Sequence, residues 1–224
     1  MFQPREQGKS CIPPRLADKM NPASMMLRQG LLIVLEGIDG SGKTTQARSL
    51  VRRLRSRGFE AAFFREPTRG RWGREIKRKA SRDGSVTAEE ELGLFVRDRR
   101  ENVEKNLKPA LKKGKIVILD RYYFSTIAYQ GAKGIDPGRI RRLNEAFAVR
   151  PDLVIILDVD AGAGLARIAG RKTRDELFER EDYLIRVREI FCGFRGAKIM
   201  HLDGRGDRRS IGRAIWARVE KLLP

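Results

Sequence analysis

The sequence has few of the residues that typify secreted and metal-binding proteins. Among 224 residues there are 2 cysteines, Cys11 and Cys192, and 1 histidine. Two cysteines this far apart form neither a disulfide framework nor a metal-binding spacing. No apolar run is long enough to cross a bilayer, and the N-terminal residues lack the apolar segment of a signal peptide. We therefore expect a soluble cytoplasmic protein without a membrane partner.

Acidic residues are scarce relative to basic ones. The chain has 48 Lys and Arg against 29 Asp and Glu, which gives a net charge of +19. Such an excess favours phosphorylated ligands and makes nucleic acid a partner to consider. The arginines are interleaved with acids from Arg52 to Arg218, however, and no aromatic-rich strip or zinc-finger pattern accompanies them. We expect no specific nucleic-acid binding.

Five short apolar runs, separated by helical patterns, predict five buried strands. The runs are Leu31–Leu35, Ala61–Phe64, Ile116–Leu119, Leu153–Leu157 and Lys198–Leu202. Strands this apolar, alternating with helices, indicate an α/β fold with a parallel sheet covered on both faces and a ligand crevice at the carboxyl ends of its strands. We expect one domain over residues 29–224 and a loose tail over residues 1–28, with Met26 as an alternative native start.

Apolar residues at helical spacing predict the helices between these strands. The first helix carries Ala47, Leu50, Val51 and Leu54, with Gly58 placed as its C-terminal cap. A longer helix carries Leu92, Phe95, Val96, Val103, Leu107 and Leu111, and the last helix carries Ile211, Ile215, Val219 and Leu222.

A glycine-rich segment between the first strand and the first helix matches the phosphate-binding pattern G-x-x-x-x-G-K-[ST]. It reads Gly37-Ile38-Asp39-Gly40-Ser41-Gly42-Lys43-Thr44-Thr45. Its glycines allow backbone N–H groups to turn toward phosphate oxygens, beside the positive end of the helix. In this pattern Lys43 reaches the β- and γ-phosphates of ATP and the Thr44 hydroxyl binds Mg²⁺. A strand-to-helix turn with no ligand is the alternative.

A carboxylate and a guanidinium follow the third strand, at Asp120 and Arg121. Asp120 at this strand end is suited to holding Mg²⁺ directly or through water. Arg121 offers a fork of donors that matches phosphoryl oxygens. The alternative is a structural ion pair.

Several segments in order resemble the thymidylate kinase family from about Leu31 to the C-terminus. Besides the phosphate-binding loop (P-loop), they are Arg65-Glu66-Pro67, the spacing Phe95-x-x-x-Arg99, and Asp120-Arg121-Tyr122 continuing through Ser125-Thr126-Ile127-Ala128-Tyr129-Gln130-Gly131. The resemblance implies a P-loop NTPase fold that transfers the γ-phosphoryl group of MgATP to dTMP, giving dTDP and ADP. It also implies a homodimer.

By the same resemblance, one set of residues binds dTMP. Arg65 holds its phosphate, Arg121 lies near the phosphoryl group in transfer, and Asp39 lies near the sugar or the acceptor phosphate and its metal. Phe95 stacks on thymine, and Arg99 donates to a base carbonyl. Thr126 contacts the base, and Tyr129 packs where a ribose 2′-hydroxyl would fit. Lys43, Asp39 and Arg121 are thus implied in catalysis.

A basic segment at about 167–181 is similar to the family's mobile lid. Some family members carry an arginine in the P-loop, but Gly40 and Ser41 stand there in this chain. The catalytic positive charge is therefore expected from the lid, with Arg171 or Arg174 preferred over Arg167. Closing such a lid excludes water and stabilises charge in the transition state. A solvated charged turn is the alternative.

Two departures from the family pattern leave other functions open. The residues after Pro67 lack the usual glycine pair, and the lid is short. The nearest alternatives are a kinase for another deoxynucleoside monophosphate or for a deoxynucleoside. From a different class, a nucleic-acid-dependent ATPase is less favoured, and the guanine-reading Asn/Thr-Lys-x-Asp element of a GTPase is absent.

Overall fold

A computed structural model describes residues 27–80, 86–168 and 174–224, with the side chains of residues 80, 168 and 174–180 excepted. Its centre is a parallel sheet of five strands in the order β2-β3-β1-β4-β5. The strands are β1 (Leu31–Glu36), β2 (Ala61–Arg65), β3 (Ile116–Asp120), β4 (Leu153–Asp158) and β5 (Ile199–Asp203). The predicted five-stranded α/β fold is confirmed, with each strand within about one residue of its predicted position.

The helices cover both faces of this sheet. They are α1 (Lys43–Ser56), α2 (Arg71–Ala80), α3 (Ala88–Asn102), α4 (Lys108–Lys112), α5 (Tyr123–Gly131), α6 (Pro137–Glu145), α7 (Ala161–Ile168), α8 (Arg174–Gly193) and α9 (Arg208–Val219). A π-helical turn, Val103–Leu107, joins α3 to α4, and a 3₁₀ turn, Glu220–Leu222, follows α9. No helix in the described ranges has the length and apolar character needed to cross a membrane.

The central strand β1 explains why the sequence shows continuous apolar runs. Its alternate residues enter two different cores, because successive side chains of a strand point to opposite faces. Leu32 and Val34 pack with α3, α5 and α8, whereas Ile33 and Leu35 pack with α1 and α9. All four are fully buried.

Helix α1 ends where its sequence predicts. Gly58 has φ 87° and its N–H donates to the Arg55 carbonyl at 3.0 Å. The N–H of Phe59 donates to the Leu54 carbonyl at 3.1 Å, and both side chains lie in the same core. This pair of bonds is a Schellman motif, which satisfies carbonyls that the helix end leaves open.

The long helix predicted from Leu92 to Leu111 is interrupted by the π-helical turn. The predicted stripe runs from Phe95 to Leu111 in four spacings of four residues each. Four turns of a regular α-helix hold fewer residues, and the difference is about one and a half residues. A regular helix would rotate these positions away from one face. The wider turn at Val103–Leu107 takes up most of that excess, and Val103 and Leu107 are fully buried.

The topology places a crevice at the carboxyl ends of β1 and β3, which pair side by side. The chain leaving β1 forms α1 on one face, and the chain leaving β3 forms α5 on the other. Adjacent strands whose connections diverge in this way open a crevice between them. Leu27, the first described residue, donates its N–H to the carbonyl of Gly114, which shortly precedes β3. The limits of the tail and of the single domain remain predictions.

We expect Leu54→Ala to lower the free energy of unfolding by about 2–5 kcal/mol, because Leu54 is fully buried between α1 and the sheet. Urea denaturation would measure the change. Arg52→Ala, on the exposed side of α1, is the matched control and should stay within about 0.5 kcal/mol. A loss below 1 kcal/mol for Leu54→Ala, about the size of a surface change, would contradict this account of the core.

Candidate active site

The P-loop occupies the crevice between the end of β1 and the start of α1. Gly37 and Gly40 have φ of 132° and 78°, and a Cβ atom at Gly40 would lie 2.1 Å from the Gly164 carbonyl oxygen. Any other residue would therefore clash with α7 as well as strain the backbone. The loop shape follows from its glycines, as the sequence predicts.

Lys43 is buried at the centre of this loop. Its Nζ donates to the Ile38 carbonyl at 2.6 Å and to Ser41 Oγ at 3.2 Å. Burial, helped by the nearby charge of Arg121, lowers the pKa of Lys43 from its ordinary value. The ammonium group is thus held inside the curve of the loop, where phosphate oxygens would lie.

Thr44, in the first turn of α1, contacts Asp120, the last residue of β3. The Thr44 hydroxyl donates to Asp120 Oδ2 at 2.5 Å, while Asp120 Oδ1 is buried without a hydrogen-bond partner among the described residues. A hydroxyl and a carboxylate oxygen are ligand types that Mg²⁺ prefers, so these two residues fit the ion. No group of three or more His, Cys, Asp or Glu in the described part of the chain could hold a metal.

Arg121 connects the P-loop to the segment after β3. It has φ 71°, which is rare for a residue other than glycine. Its Nη2 donates to Asp39 Oδ1 at 2.7 Å, and its Nη1 donates to the Gly37 carbonyl at 3.3 Å. Burial alone would raise the pKa of Asp39, but the charges of Arg121 and Lys43 outweigh it, and the pKa of Asp39 is lowered.

All seven residues predicted for the acceptor line one cavity of 240 Å³ beside the P-loop. They are Asp39, Arg65, Phe95, Arg99, Arg121, Thr126 and Tyr129. They come from four separate segments of the chain, so their meeting is a property of the fold and not of their spacing. The half-buried Phe95 ring belongs to neither hydrophobic core.

Polar groups line this cavity at two places. At the end near β2 and β3, the Arg65 side chain is 55% exposed and its Nε lies 3.7 Å from Asp120 Oδ2. Its donors are therefore open to an anionic ligand. Beside Asp39, the Tyr129 hydroxyl donates to Asp39 Oδ2 at 3.2 Å and accepts from the Asp39 N–H at 3.1 Å.

Arg99 is more deeply buried than its predicted role requires, at 1% exposure. Its Nε donates to Glu66 Oε2 at 2.7 Å, its Nη1 to Asn144 Oδ1 at 2.6 Å, and its Nη2 to Thr126 Oγ1 at 2.9 Å. A guanidinium has five N–H groups, so two remain for a ligand. Arg99 therefore braces the cavity wall as well as facing it.

Glu66 is the acidic partner that the sequence analysis did not identify. It is 2% exposed, and its other carboxylate oxygen accepts from Asn102 Nδ2 at 3.0 Å. Burial raises the pKa of Glu66, although the charge of Arg99 acts to lower it. The position of Glu66 between Arg65 and Pro67 could have marked it as a site residue. Nothing in the sequence, however, links Glu66 to Arg99.

Gln130 was also missed as a lining residue. Its Nε2 donates to Glu91 Oε2 at 3.0 Å, which fixes the orientation of the amide. Its Oε1 is buried in the cavity wall with no hydrogen-bond partner in the described residues. The spacing i, i+4 from Thr126 on α5 was the available signal, since it places both residues on one helix face.

The loop after Pro67, where the sequence departs from the family pattern, is fixed by α3. Asp98 is 2% exposed and accepts from the Thr68 N–H at 2.7 Å and the Thr68 hydroxyl at 2.6 Å. These bonds order the backbone next to Arg65. Asp98 therefore holds this loop in place against α3.

Within the predicted lid, at about 167–181, residues 169–173 lie outside the described residues, and residues 168 and 174–180 are described without their side chains. Arg171 thus lies outside the described residues, and Arg174 is described only as the first residue of α8, without its side chain. Arg167, which was less favoured, donates from Nη1 to the Gly40 carbonyl at 3.2 Å. It also contacts the Gly204 carbonyl at 3.4 Å, so it lies against the P-loop.

The chain is similar to known proteins of one family. A family model described as thymidylate kinase matches residues 35–204. The chain is similar to the thymidylate kinase of Akkermansia muciniphila, at 44% identity over 88% of this chain and 92% of the relative. It is also similar to the thymidylate kinases of Xanthomonas campestris pv. campestris strain B100, at 44% identity over 87% of this chain and 85% of the relative, and of Xanthomonas euvesicatoria pv. vesicatoria strain 85-10, at 48% over 84% and 82%.

We expect Arg99→Ala to lower the free energy of unfolding by about 3–5 kcal/mol, because it leaves the Glu66 carboxylate buried without its cation. Urea denaturation would measure this. The double variant Arg99→Ala/Glu66→Gln should lose less, since a neutral amide costs less to bury. Arg100→Ala, at the exposed neighbouring position, is the control. Equal losses in the single and double variants would contradict the role of the ion pair.

Proposed function

The chain belongs to the thymidylate kinase family and phosphorylates dTMP to dTDP with ATP, and we propose that the P-loop and the 240 Å³ cavity are its donor and acceptor sites. The observation that carries this proposal is the convergence of all seven predicted acceptor residues on one cavity. Asp39 and Arg121 join that cavity to the P-loop, and their ion pair is 2.7 Å long. The two phosphates would therefore meet at this pair.

The donor phosphates would lie in the P-loop. Its backbone N–H groups and Lys43 bind their oxygens, and Lys43 faces the β- and γ-phosphates. Thr44 and Asp120 would hold Mg²⁺, which when bound neutralises charge on the phosphate oxygens. The unpartnered Asp120 Oδ1 supports this assignment.

The transfer needs no histidine or other general base. The phosphate of dTMP is already ionised, and one of its oxygens attacks the γ-phosphorus of ATP. The bond from that phosphorus to the β–γ bridging oxygen breaks, and ADP leaves. Arg65 would hold the acceptor phosphate, and Arg121 would stabilise charge on the group in transfer. A lid arginine, Arg171 or Arg174, would add charge when the lid closes.

The base would be recognised at the other end of the cavity. Phe95 offers a ring face for stacking, and the two open N–H groups of Arg99 are donors for a thymine carbonyl. The unpartnered Oε1 of Gln130 is an acceptor for the N3–H of thymine. Cytosine has an acceptor at N3, so it would offer this oxygen no donor at that position. Tyr129 would exclude a ribose 2′-hydroxyl.

We also propose that the enzyme is a cytoplasmic homodimer. The scarcity of cysteine supports a reducing compartment. The dimer rests on membership of the family alone, and analytical ultracentrifugation would test it.

Phosphoryl transfer from ATP to a panel of acceptors tests the substrate assignment. We expect kcat/KM for dTMP to exceed that for dUMP by about 10-fold or more, since dUMP lacks one methyl group. The kcat/KM for dCMP should be lower still, because cytosine has no donor at N3 for the buried oxygen of Gln130. Gln130→Ala should narrow the gap between dTMP and dCMP. If dTMP were no better than dUMP, dCMP, dGMP and the ribose analogue, the thymine assignment would fall while the kinase assignment survived.

We expect Lys43→Ala to lower kcat/KM by about 10²–10³-fold or more, because it removes the buried charge that faces the donor phosphates. A coupled assay of ADP release would measure it. The urea midpoint should change little, since the side chain fills no hydrophobic core. Arg52→Ala on the same helix should keep the activity of the parent. Activity of Lys43→Ala close to that of the parent would contradict the P-loop mechanism.

A further inference from the structure

Glu36 is a fully buried carboxylate at the last position of β1, directly before the P-loop. Burial raises the pKa of Glu36 to about 7, although the hydrogen bond from Ser125 and the charge of Arg121 act to lower it. Burying a carboxylate destabilises the folded protein unless the carboxylate oxygens accept hydrogen bonds. The known chemistry of the site gives it no task, since it lies outside the acceptor cavity lining.

All hydrogen bonds recorded to the Glu36 carboxylate come from the start of α5. Its Oε1 accepts from the Tyr122 N–H at 2.7 Å and from the Ser125 N–H at 3.2 Å. Its Oε2 accepts from the Ser125 hydroxyl at 2.5 Å. The N-cap residue of α5, Tyr122, provides no side-chain cap of its own. Glu36 therefore caps this helix from a neighbouring strand, with its charge at the favourable end.

The Ser125 hydroxyl links this cap to Arg121. While donating to Glu36, it accepts from Arg121 Nη1 at 2.9 Å. A hydroxyl has one donor and two lone pairs, so both bonds can exist together. The guanidinium is then held at Nη1 by Ser125 and the Gly37 carbonyl of the P-loop, and at Nη2 by Asp39. Hydrogen bonds in such a chain strengthen one another.

We propose that Glu36 is a positioning residue that, through Ser125, fixes the Arg121 guanidinium against the P-loop at the meeting point of the donor and acceptor phosphates. This inference rests on the proposed role of Arg121 in transfer. The chain of bonds begins on the strand that leads into the donor loop and ends at α5, whose Thr126 and Tyr129 line the acceptor cavity. It therefore sets the relative position of the two sites, and small errors in such a position reduce the rate of transfer more than the binding of either substrate.

The central experiment compares Ser125→Ala with Ser125→Thr. Ser125→Ala removes the link but leaves Glu36 bonded to the two backbone N–H groups, so the protein should fold. We expect its kcat to fall about 10-fold, as for the loss of a hydrogen bond to a charged group. KM for ATP and dTMP should stay within about 3-fold. Ser125→Thr keeps the hydroxyl and should restore most of kcat. Ser49→Ala, on α1, is the control and should match the parent.

A double-mutant cycle separates positioning from a structural effect. In an Arg121→Gln background, Ser125→Ala should cause little further loss of kcat, because the group that it positions is gone. A full 10-fold loss in that background would overturn the proposal, as would unchanged kcat in Ser125→Ala.

Glu36→Gln, provided that it folds, should lower kcat at least as much as Ser125→Ala. If Arg121→Gln itself left kcat unchanged, the proposed role of Arg121 would fall, and the positioning role with it. Reduced kcat in Arg121→Gln with normal kcat in Ser125→Ala would overturn the positioning role alone.

Discussion

The geometry of the site depends on the ion pair between Arg121 and Asp39. Asp39 belongs to the P-loop, and Arg121 follows β3, so this contact of 2.7 Å joins residues that are 82 positions apart in the chain. The left-handed backbone at Arg121 turns the chain from the strand into α5 and aims its side chain back at the loop. Conformations of this kind persist only where the surroundings hold them. Here the Arg121 N–H donates to the Leu35 carbonyl, which anchors the turn to the central strand.

A second buried ion pair shapes the acceptor side. Glu66 and Arg99 are each nearly inaccessible to solvent, and replacing such pairs by apolar residues is often neutral or stabilising. A gain in stability alone therefore explains the presence of this ion pair poorly. The arrangement of its hydrogen bonds explains it better, since Arg99 also donates to Thr126 of α5 and Asn144 of α6. Arg99 of α3 thus joins the segment after β2, helix α5 and helix α6 around one cavity wall, and a nonpolar contact would define this arrangement less sharply.

The sequence was sufficient to predict the strands, the P-loop and seven residues that line one cavity, because each depends on local patterns or on segments in a recognisable order. The role of these seven residues in binding dTMP stays a prediction. It was insufficient where a residue's partner lies in another element. The spacing of Phe95 and Arg99 indicates that both face one side of α3, but it cannot show that Glu66, Asn144 and Thr126 surround the guanidinium. Glu36 stands out as an acid within an apolar run, yet its partners on α5 become visible only when β1 and β3 are placed side by side. Contacts across the fold carry information that periodicity does not.

The π-helical turn at Val103–Leu107 bears on how this helix can vary in length. A π turn holds about one residue more than an α-helical turn, so one residue can be lost here without breaking the helix. Loss of one residue inside it would convert it to regular helix and leave the flanking faces nearly aligned. The same loss one turn before Phe95 would rotate the preceding part of α3 by about 100° relative to the cavity. Related chains can therefore differ by a residue at this turn and still present the same aromatic ring and guanidinium to the cavity.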